Sequence, residues 1–259
     1  MRIALIGAGN LATNLGKALK GAGHNVVGVY SRTETSARNL ANVLECASTN
    51  RLDVLSKDAD VYVVAVKDSV LEQVVAEAVQ GREDGLFLHT AGSMSMDCFR
   101  GKVFRYGVLY PMQTFSKDRE VNFQEIPCFV EGCDAETLQV VKMLAESISE
   151  RVVEMPSDRR KYVHLAAVWA CNFANHCYDM ASMLLEGQHI PFDVMLPLID
   201  ETARKVHILS PRQAQTGPAV RFDENVMRQQ MELMAENPDA CRLYEMLSKS
   251  IHQRAINKD

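Results

Sequence analysis

The first twelve residues carry the pattern with the most specific chemistry in the chain. Gly7, Gly9 and Ala12 form a G-x-G-x-x-A pattern that directly follows the apolar run of residues 3–6 and directly opens a segment with helical periodicity. The first glycine permits a tight turn, the second lets the backbone approach a phosphate, and the small third residue keeps the helix near the strand. The N-terminus of that helix then directs free N–H groups and the positive end of its dipole at the phosphates. The sequence therefore predicts a dinucleotide-binding loop, whose pyrophosphate contacts come from Gly7, Ala8, Gly9, Asn10 and Leu11.

The end of the second predicted strand indicates which dinucleotide is bound. Sites that prefer NAD usually place Asp or Glu there to bond the ribose 2′-hydroxyl. This chain has Ser31, Arg32 and Thr33 instead, and no carboxylate comes before Glu34. A guanidinium pairs with a 2′-phosphate, and the two hydroxyls can hydrogen-bond it. These residues predict NADP rather than NAD; in the alternative interpretation, Ser31 only caps the following helix, which is compatible with either cofactor.

Strand signals alternate with helix signals over the first 155 residues. Short apolar runs without polar alternation are typical of strands that are buried on both faces. Strands connected through helices in this way form right-handed crossovers and a mostly parallel sheet. The fold class predicted is α/β, a doubly wound sheet of Rossmann type. The strands are predicted at residues 3–6, 26–30, 61–66, 86–88, 103–109, 125–131 and 151–154.

The pattern changes after Pro156. Residues 157–185 contain neither proline nor glycine and keep one helical period, and the remainder shows helical segments that are interrupted by prolines. Strand signals end at this point. We therefore predict a dinucleotide-binding domain over residues 1–155 and an all-α domain over residues 156–259 that serves substrate binding and dimerisation.

The composition argues against several functional classes. The chain has 259 residues, of which 47% are hydrophobic and 24% charged, and a formal net charge of −5, as is usual for a soluble globular protein. The densest basic run, Arg159, Arg160 and Lys161, is typical of a solvated helix start rather than of a nucleic-acid surface. No apolar stretch approaches the roughly 18 residues of a membrane span. The seven cysteines form no C-x-x-C pair, which indicates free thiols in a reducing compartment. We expect a cytoplasmic protein that binds no nucleic acid, no membrane and, since no His/Asp/Glu cluster has ligand spacing, no metal.

Residues that follow other predicted strands belong to the same edge of the sheet. In open α/β sheets, ligands bind outside the carboxyl ends of the strands. Lys67 follows one strand end and either borders the cofactor or only ends the strand; Gly92, after the next strand, allows a close backbone approach. We predict further cofactor contacts from Val66, Lys67, His89 and Thr90. Substrate contacts are predicted from Ala91, Gly92, Ser93, Gln113 and Thr114.

Four motifs, in order, resemble one bacterial family. They are the His-Thr-Ala-Gly-Ser segment 89–93, the Tyr-Pro-Met-Gln-Thr-Phe segment 110–115, the helical segment 161–172 and the Thr-Gly-Pro segment 216–218. That family combines a Rossmann-like N-terminal domain with a C-terminal helical domain of unassigned function, and its members are commonly labelled NADP-dependent oxidoreductases. Its wider relatives are the pyrroline-carboxylate reductases and the 3-hydroxyacid dehydrogenases. The family often has His where this chain has Tyr110. The resemblance implies NADP as cofactor and a homodimer built partly through the helical domain, and it does not identify the small-molecule substrate.

The predicted helix after Pro156 carries a polar stripe. At about 100° per residue, Lys161, His164, Asn172, Asn175 and Asp179 share one face of an otherwise apolar helix. In the 3-hydroxyacid dehydrogenases, the corresponding helix faces the nicotinamide and supplies a Lys and, four residues later, an Asn; here the residue at that spacing from Lys161 is apolar.

Hydride transfer to C=O or C=N requires a proton for the heteroatom. His164 is a suitable donor because histidine titrates near neutrality, Lys161 is the second candidate, and Asn172 is predicted to orient the substrate. In the alternative interpretations His164 is a hydrogen-bonded core histidine and Lys161 a surface residue. We therefore expect a reductase of a small carbonyl or imine compound. A non-catalytic dinucleotide sensor or interaction protein is the alternative, since the chain has neither a Lys-x-x-x-Asn nor a Tyr-x-x-x-Lys signature at the helix.

Overall fold

A computed structural model describes residues 1–257. Within them, one sheet has the strand order β3-β2-β1-β4-β5-β6-β7-β8. Every neighbouring pair is parallel except β6 and β7, which run antiparallel. The prediction of a doubly wound, mostly parallel sheet is confirmed. The strands are β1 Arg2–Ile6, β2 Asn25–Tyr30, β3 Ala47–Thr49, β4 Val61–Val64, β5 Leu86–His89, β6 Arg105–Pro111, β7 Cys128–Gly132 and β8 Val152–Glu154.

Helices cover both faces of the sheet and continue after it. The helices of the sheet region are α1 Asn10–Gly21, α2 Glu34–Leu44, α3 Leu71–Ala78, α4 Ala135–Glu146 and α5 Ser157–Ala167. Those that follow are α6 Ala174–Glu186, α7 Leu196–Lys205, α8 Pro211–Ala214, α9 Pro218–Arg221, α10 Glu224–Glu232 and α11 Pro238–Ile256. The predicted all-α region after the sheet is therefore confirmed.

The central strand β1 explains why the glycine pattern lies at a crevice. Its residues 3–6 are fully buried because apolar helices cover the strand on both sides. Leu5 belongs to the core on the side of α1 and α2, and Ile6 to the core on the side of α3. Strand β1 pairs with β2 on one edge and β4 on the other, so the strand order reverses there. Such a switch point leaves a crevice at the carboxyl ends of the strands.

By its contacts, the chain forms two compact units, residues 1–172 and residues 173–259. The last strand ends at Glu154, where the sequence pattern changes, yet helix α5 belongs to the same unit as the sheet. The boundary between the units thus follows residue 172 rather than the predicted residue 155, because α5 contacts the sheet as described below.

The long helix that the sequence predicts over residues 157–185 is not one α-helix. Residues Val168–Phe173 form a π-helical segment between α5 and α6. In a π turn each N–H bonds five residues back, so the turn holds more residues than an α turn. Side chains beyond it are therefore rotated from the positions expected at 100° per residue. The premise of one continuous α-helix behind the predicted stripe of Lys161, Asn172, Asn175 and Asp179 therefore does not hold, and the shared face stays a prediction.

The second unit buries few of its own residues. Among residues 173–257, four are buried: Ala219, Met227, Ala240 and Ser248. Large apolar side chains are instead exposed, including Leu198 at 61%, Ile208 at 85% and Leu233 at 85%. Within residues 1–257, none of the helices has the length and hydropathy that crossing a membrane requires.

Candidate active site

The glycine loop at the end of β1 has the shape that a dinucleotide phosphate requires. Gly7 has a φ of 124°, and a Cβ added there would lie 2.1 Å from the carbonyl oxygen of Ala65. Only glycine fits this conformation and this approach. Gly9 is different, because a Cβ there would meet no atom within 4 Å. The backbone at Gly9 is thus open on the side from which a phosphate would approach.

The N-terminus of α1 is a ready anion site. Its N-cap is Gly9, no side chain caps its free N–H groups, and its first turn contains no acidic residue. The first N–H groups of any helix lack intrahelical partners, and the dipole makes that end positive. Of the other predicted pyrophosphate contacts, Ala8 is buried, Leu11 is half-buried and Asn10 is exposed. The loop therefore fits a pyrophosphate at this position.

The corner after β2 leaves the Arg32 side chain exposed. Helix α2 begins after the N-cap Thr33, whose hydroxyl donates to Ser36 Oγ at 2.8 Å. Ser31 lies two residues before that cap, and its N–H donates to the carbonyl of Thr49. The interpretation of Ser31 as the helix cap is therefore wrong. Arg32 is exposed and, within residues 1–257, forms no ion pair or hydrogen bond.

The segment after β6 is fastened to the glycine loop. The Asn10 side-chain amide donates to the carbonyl of Phe115 at 2.9 Å, and that of Asn14 donates to Ser116 at 3.0 Å. Gln113 and Thr114 are exposed on this segment, and the Gln113 side chain accepts the Thr114 N–H at 2.9 Å. These bonds hold the two predicted substrate residues beside the cofactor loop.

The loop after β5 is shaped by a buried, neutral histidine. His89 is fully buried, and its Nδ1 accepts the Ala91 N–H at 3.1 Å. Burial, with a further contribution from the Arg160 cation, lowers the pKa of His89 to about 3. Thr90 is also buried, and its N–H donates to the carbonyl of Val64. His89 and Thr90 therefore have little surface with which to touch a cofactor directly, and they shape the loop that follows.

Tyr110 and His164 meet at this loop. The Tyr110 hydroxyl lies 3.0 Å from His164 Nδ1, and the two rings pack edge to face with centroids 5.9 Å apart. Gly92 lies close to both side chains, because a Cβ added there would be 2.7 Å from both His164 Nδ1 and Tyr110 Cζ. The predicted substrate residue Gly92 and the predicted proton donor His164 are thus brought together, with Tyr110 as a third member.

The Tyr110 hydroxyl is protonated at neutral pH and can therefore act as an acid. The residue is 7% exposed, and this burial raises the pKa of the phenol. Two charges have smaller effects on the same pKa: Arg160 lowers it and Asp68 raises it. A phenol already titrates near pH 10, so the hydroxyl keeps its proton at neutral pH. Tyr110 and His164 together form a hydrogen-bonded pair with a transferable proton.

A buried ion pair fixes the position of the helix that carries His164. Arg160, one helical turn before His164, is fully buried and bonds Glu131 of β7 at 2.6 Å. Its guanidinium also donates to the carbonyl of Met94 and to Ser157 Oγ. Breaking such a buried pair costs about 3–5 kcal/mol. Helix α5 is therefore fixed to the sheet and to the loop after β5, and the interpretation of residues 159–161 as a solvated run is wrong for Arg160.

Lys161 and Asn172 lie elsewhere on the helix. Lys161 is exposed and places its ammonium 5.5 Å from the centre of the Tyr162 ring. Asn172 is exposed in the π-helical segment. Because adjacent helical positions differ by about 100°, the burial of Arg160 against the sheet turns Lys161 away from it. Their predicted catalytic roles stay predictions.

Sequence reasoning did not select Tyr110, Arg160 or Glu131 as site residues. A partial signal existed for Tyr110, because it occupies the position where the similar family often has His. Arg160 follows Arg159, so its burial has no local sequence signal. Val66 is half-buried against the core and Lys67 is exposed at the predicted edge of the sheet.

Two sequence profiles match the chain. Residues 2–90 match the domain described as NADP oxidoreductase coenzyme F420-dependent, and residues 126–251 match a domain of unknown function, DUF2520. No curated protein matches the chain significantly.

Several solved structures share the fold. BF3122 of Bacteroides fragilis, provisionally named an NADP oxidoreductase, is 53% identical with a TM-score of 0.94, over 97% of this chain and 98% of that chain. TM1727 of Thermotoga maritima is 24% identical with a TM-score of 0.71, over 98% of each chain. An imine reductase of Myxococcus stipitatus in complex with NADP⁺ is 16% identical with a TM-score of 0.71, over 98% of this chain and 93% of that chain. The last two show the fold alone. Through BF3122 and the two profiles, the chain belongs to the family of proteins that join an NADP-oxidoreductase Rossmann domain to a helical domain of unknown function.

Proposed function

We propose that this protein is an NADP-dependent oxidoreductase that reduces the C=N or C=O bond of a small molecule. The observation that carries the proposal is the Tyr110–His164 pair, which lies at the carboxyl edge of a sheet whose central strand ends in a phosphate-binding loop. Hydride reduction needs a bound dinucleotide and a proton donor. Both requirements have candidate residues at this edge.

The cofactor is proposed to lie along the carboxyl ends of the strands. Gly7, Gly9 and the first turn of α1 would hold the pyrophosphate, and Arg32 with Ser31 would hold the 2′-phosphate. Val66 and Lys67, at the end of β4, would border the cofactor, whereas the buried His89 and Thr90, at the end of β5, would shape the loop beside it. When bound, NADPH supplies a hydride.

The chain itself supplies the proton. Tyr110 donates its hydroxyl proton to the nitrogen or oxygen of the substrate, and His164, which is hydrogen-bonded to that hydroxyl, returns a proton to it. Gly92 leaves room for the two rings to approach each other. Arg160 and Glu131 hold the helix that carries His164, so the donor stays in one orientation.

The preference for NADP is tested at Arg32. We expect Arg32→Gln to weaken NADPH binding about tenfold, or roughly 1.4 kcal/mol, because the 2′-phosphate loses its cationic partner, while NADH binding stays nearly constant. Titrations of the purified protein that follow cofactor fluorescence measure both affinities. Arg38→Gln is the matched control, since Arg38 lies in α2 but is paired with Glu34. Equal weakening of NADPH and NADH by Arg32→Gln would contradict the assignment.

We also propose that the protein is a homodimer associated through its second unit. Residues 173–257 include four buried residues and many exposed apolar side chains, so this unit needs a partner surface. A cytoplasmic location is proposed as well, because all seven cysteines are free thiols.

The dimer is tested by a charge in its proposed interface. Leu198→Asp should shift the mass measured by sedimentation equilibrium from twice 28.9 kDa toward 28.9 kDa, because an unpaired carboxylate is costly in an apolar interface. Val54→Asp is the control, since Val54 is 58% exposed in the first unit, close to the 61% of Leu198. A dimer that survives Leu198→Asp, or a wild-type monomer, would exclude this surface.

A further inference from the structure

Asp68 is hydrogen-bonded to the loop that borders the proposed proton donor. It follows β4 in a short helical turn, Asp68–Val70. The Ser93 hydroxyl donates to Asp68 Oδ2. Ser93 follows Gly92, where an added Cβ would meet both Tyr110 and His164. The bond between Ser93 and Asp68 thus joins the loops after β4 and β5 next to the Tyr110–His164 pair.

The charges around Tyr110 differ in whether a substrate can reach them. Arg160 and Asp68 both act electrostatically on Tyr110. Arg160 is fully buried, and its guanidinium is bonded to Glu131, Met94 and Ser157. Asp68 is exposed, and within residues 1–257 it has no cationic partner and no hydrogen bond at Oδ1. Of these two charges, the negative one is accessible.

We infer that the site reduces C=N rather than C=O bonds, and that Asp68 balances the positive charge of the protonated imine nitrogen. This inference rests on the proposed reductase function and narrows its substrate class. A carbonyl gains negative charge on oxygen as it is reduced, which a nearby carboxylate opposes. A protonated imine is positive before reduction, and the carboxylate stabilises it.

The proposed step is balanced in atoms and electrons. The Tyr110 hydroxyl proton moves to the imine nitrogen and forms an iminium ion beside Asp68. A hydride from NADPH forms the new C–H bond, and the π pair of C=N becomes the lone pair of a neutral amine. The cofactor leaves as NADP⁺. His164 passes a proton from solvent to the Tyr110 phenolate.

The test compares cyclic imines and cyclic ketones of equal ring size, pyrroline with cyclopentanone and tetrahydropyridine with cyclohexanone. The full-length protein is first titrated with NADPH, and kcat/KM is then measured from NADPH absorbance. We expect the imine to be preferred in each pair, and Asp68→Asn to lower kcat/KM for the imine about tenfold without lowering it for the ketone. Asp97→Asn is the control, since Asp97 is exposed and paired with Arg100.

Binding of the product gives a second reading that does not depend on turnover. Pyrrolidine, which is a cation in neutral water, should bind the NADP⁺ complex more tightly than cyclopentanol, and Asp68→Asn should remove the difference. If NADPH does not bind, the proposed function fails, and this inference fails with it. If NADPH binds but the ketones are preferred, if Asp68→Asn affects both classes equally, or if the protein reduces ketones but neither reduces an imine nor binds the amine, the inference alone is overturned.

Discussion

Replacing Tyr110 by phenylalanine is expected to lower kcat for NADPH-dependent reduction about 100- to 10 000-fold, which is the range of a general acid. The ring still packs between Phe129 and His164, so the fold is kept, but the hydroxyl that lies 3.0 Å from His164 Nδ1 is lost. The affinity for NADPH should not change, since Tyr110 has no part in the phosphate loop. Steady-state kinetics together with cofactor titration measure the two effects separately.

Tyr106→Phe is the matched control for this substitution. Tyr106 lies four residues earlier on the same strand and packs on Phe99. His164→Ala should lower kcat as well, and the double variant should lose little more than the worse single one, because residues that act as a unit are not additive. Undiminished turnover in Tyr110→Phe would remove the proton donor from the proposal. If NADPH is bound but no carbonyl or imine is reduced by the wild type, the protein is a dinucleotide sensor and not a reductase.

Replacing Gly9 by valine should weaken NADPH binding about 100-fold or more, roughly 2.7 kcal/mol. The new side chain points into open space, since a Cβ at Gly9 meets no atom within 4 Å, so the folded protein accommodates it. A bound pyrophosphate would not, because the backbone could no longer approach it. Cofactor titration measures the affinity, and urea unfolding should show a loss of stability of about 1 kcal/mol, because Gly9 is the N-cap of α1 and valine is a poor N-cap residue.

Gly21→Val is the control for Gly9→Val. Gly21 ends helix α1, and a Cβ added there would also meet no atom within 4 Å, so this variant should bind NADPH normally. Gly7→Ala should behave differently from both. Its Cβ would lie 2.1 Å from the Ala65 carbonyl oxygen at a φ of 124°, so stability falls along with binding, and by more than in Gly9→Val. Normal affinity in Gly9→Val would show that the phosphate does not approach this loop.

The prediction of the fold from sequence succeeds where the signals are local. The apolar runs of β1 and β4 are buried on both faces, so composition alone identifies them as central parallel strands. Strand β3 escapes prediction, because its Ala-Ser-Thr sequence at the edge of the sheet lacks an apolar run. The π-helical segment Val168–Phe173 escapes it too, since hydrophobic periodicity does not distinguish one wider turn within a helix.

The residues of the candidate site that the sequence predicts are likewise those that act within one local unit. The phosphate loop can be predicted because Gly7 and Gly9 act through the backbone within one strand–turn–helix unit, so the required residue types are adjacent in sequence. The corner at Arg32 follows from the same unit, although only the structure shows that Thr33, and not Ser31, is the cap.

The sequence by itself determined that this chain has a dinucleotide-binding sheet followed by helices, because those features depend on residues within about one βαβ unit of each other. Only the tertiary structure decided which side chain faces the reacting group. Tyr110 and His164 are 54 positions apart, and Arg160 is 29 positions from Glu131. These pairs form because α5 packs on β6 and β7, and no local pattern encodes which face of a helix meets which strand.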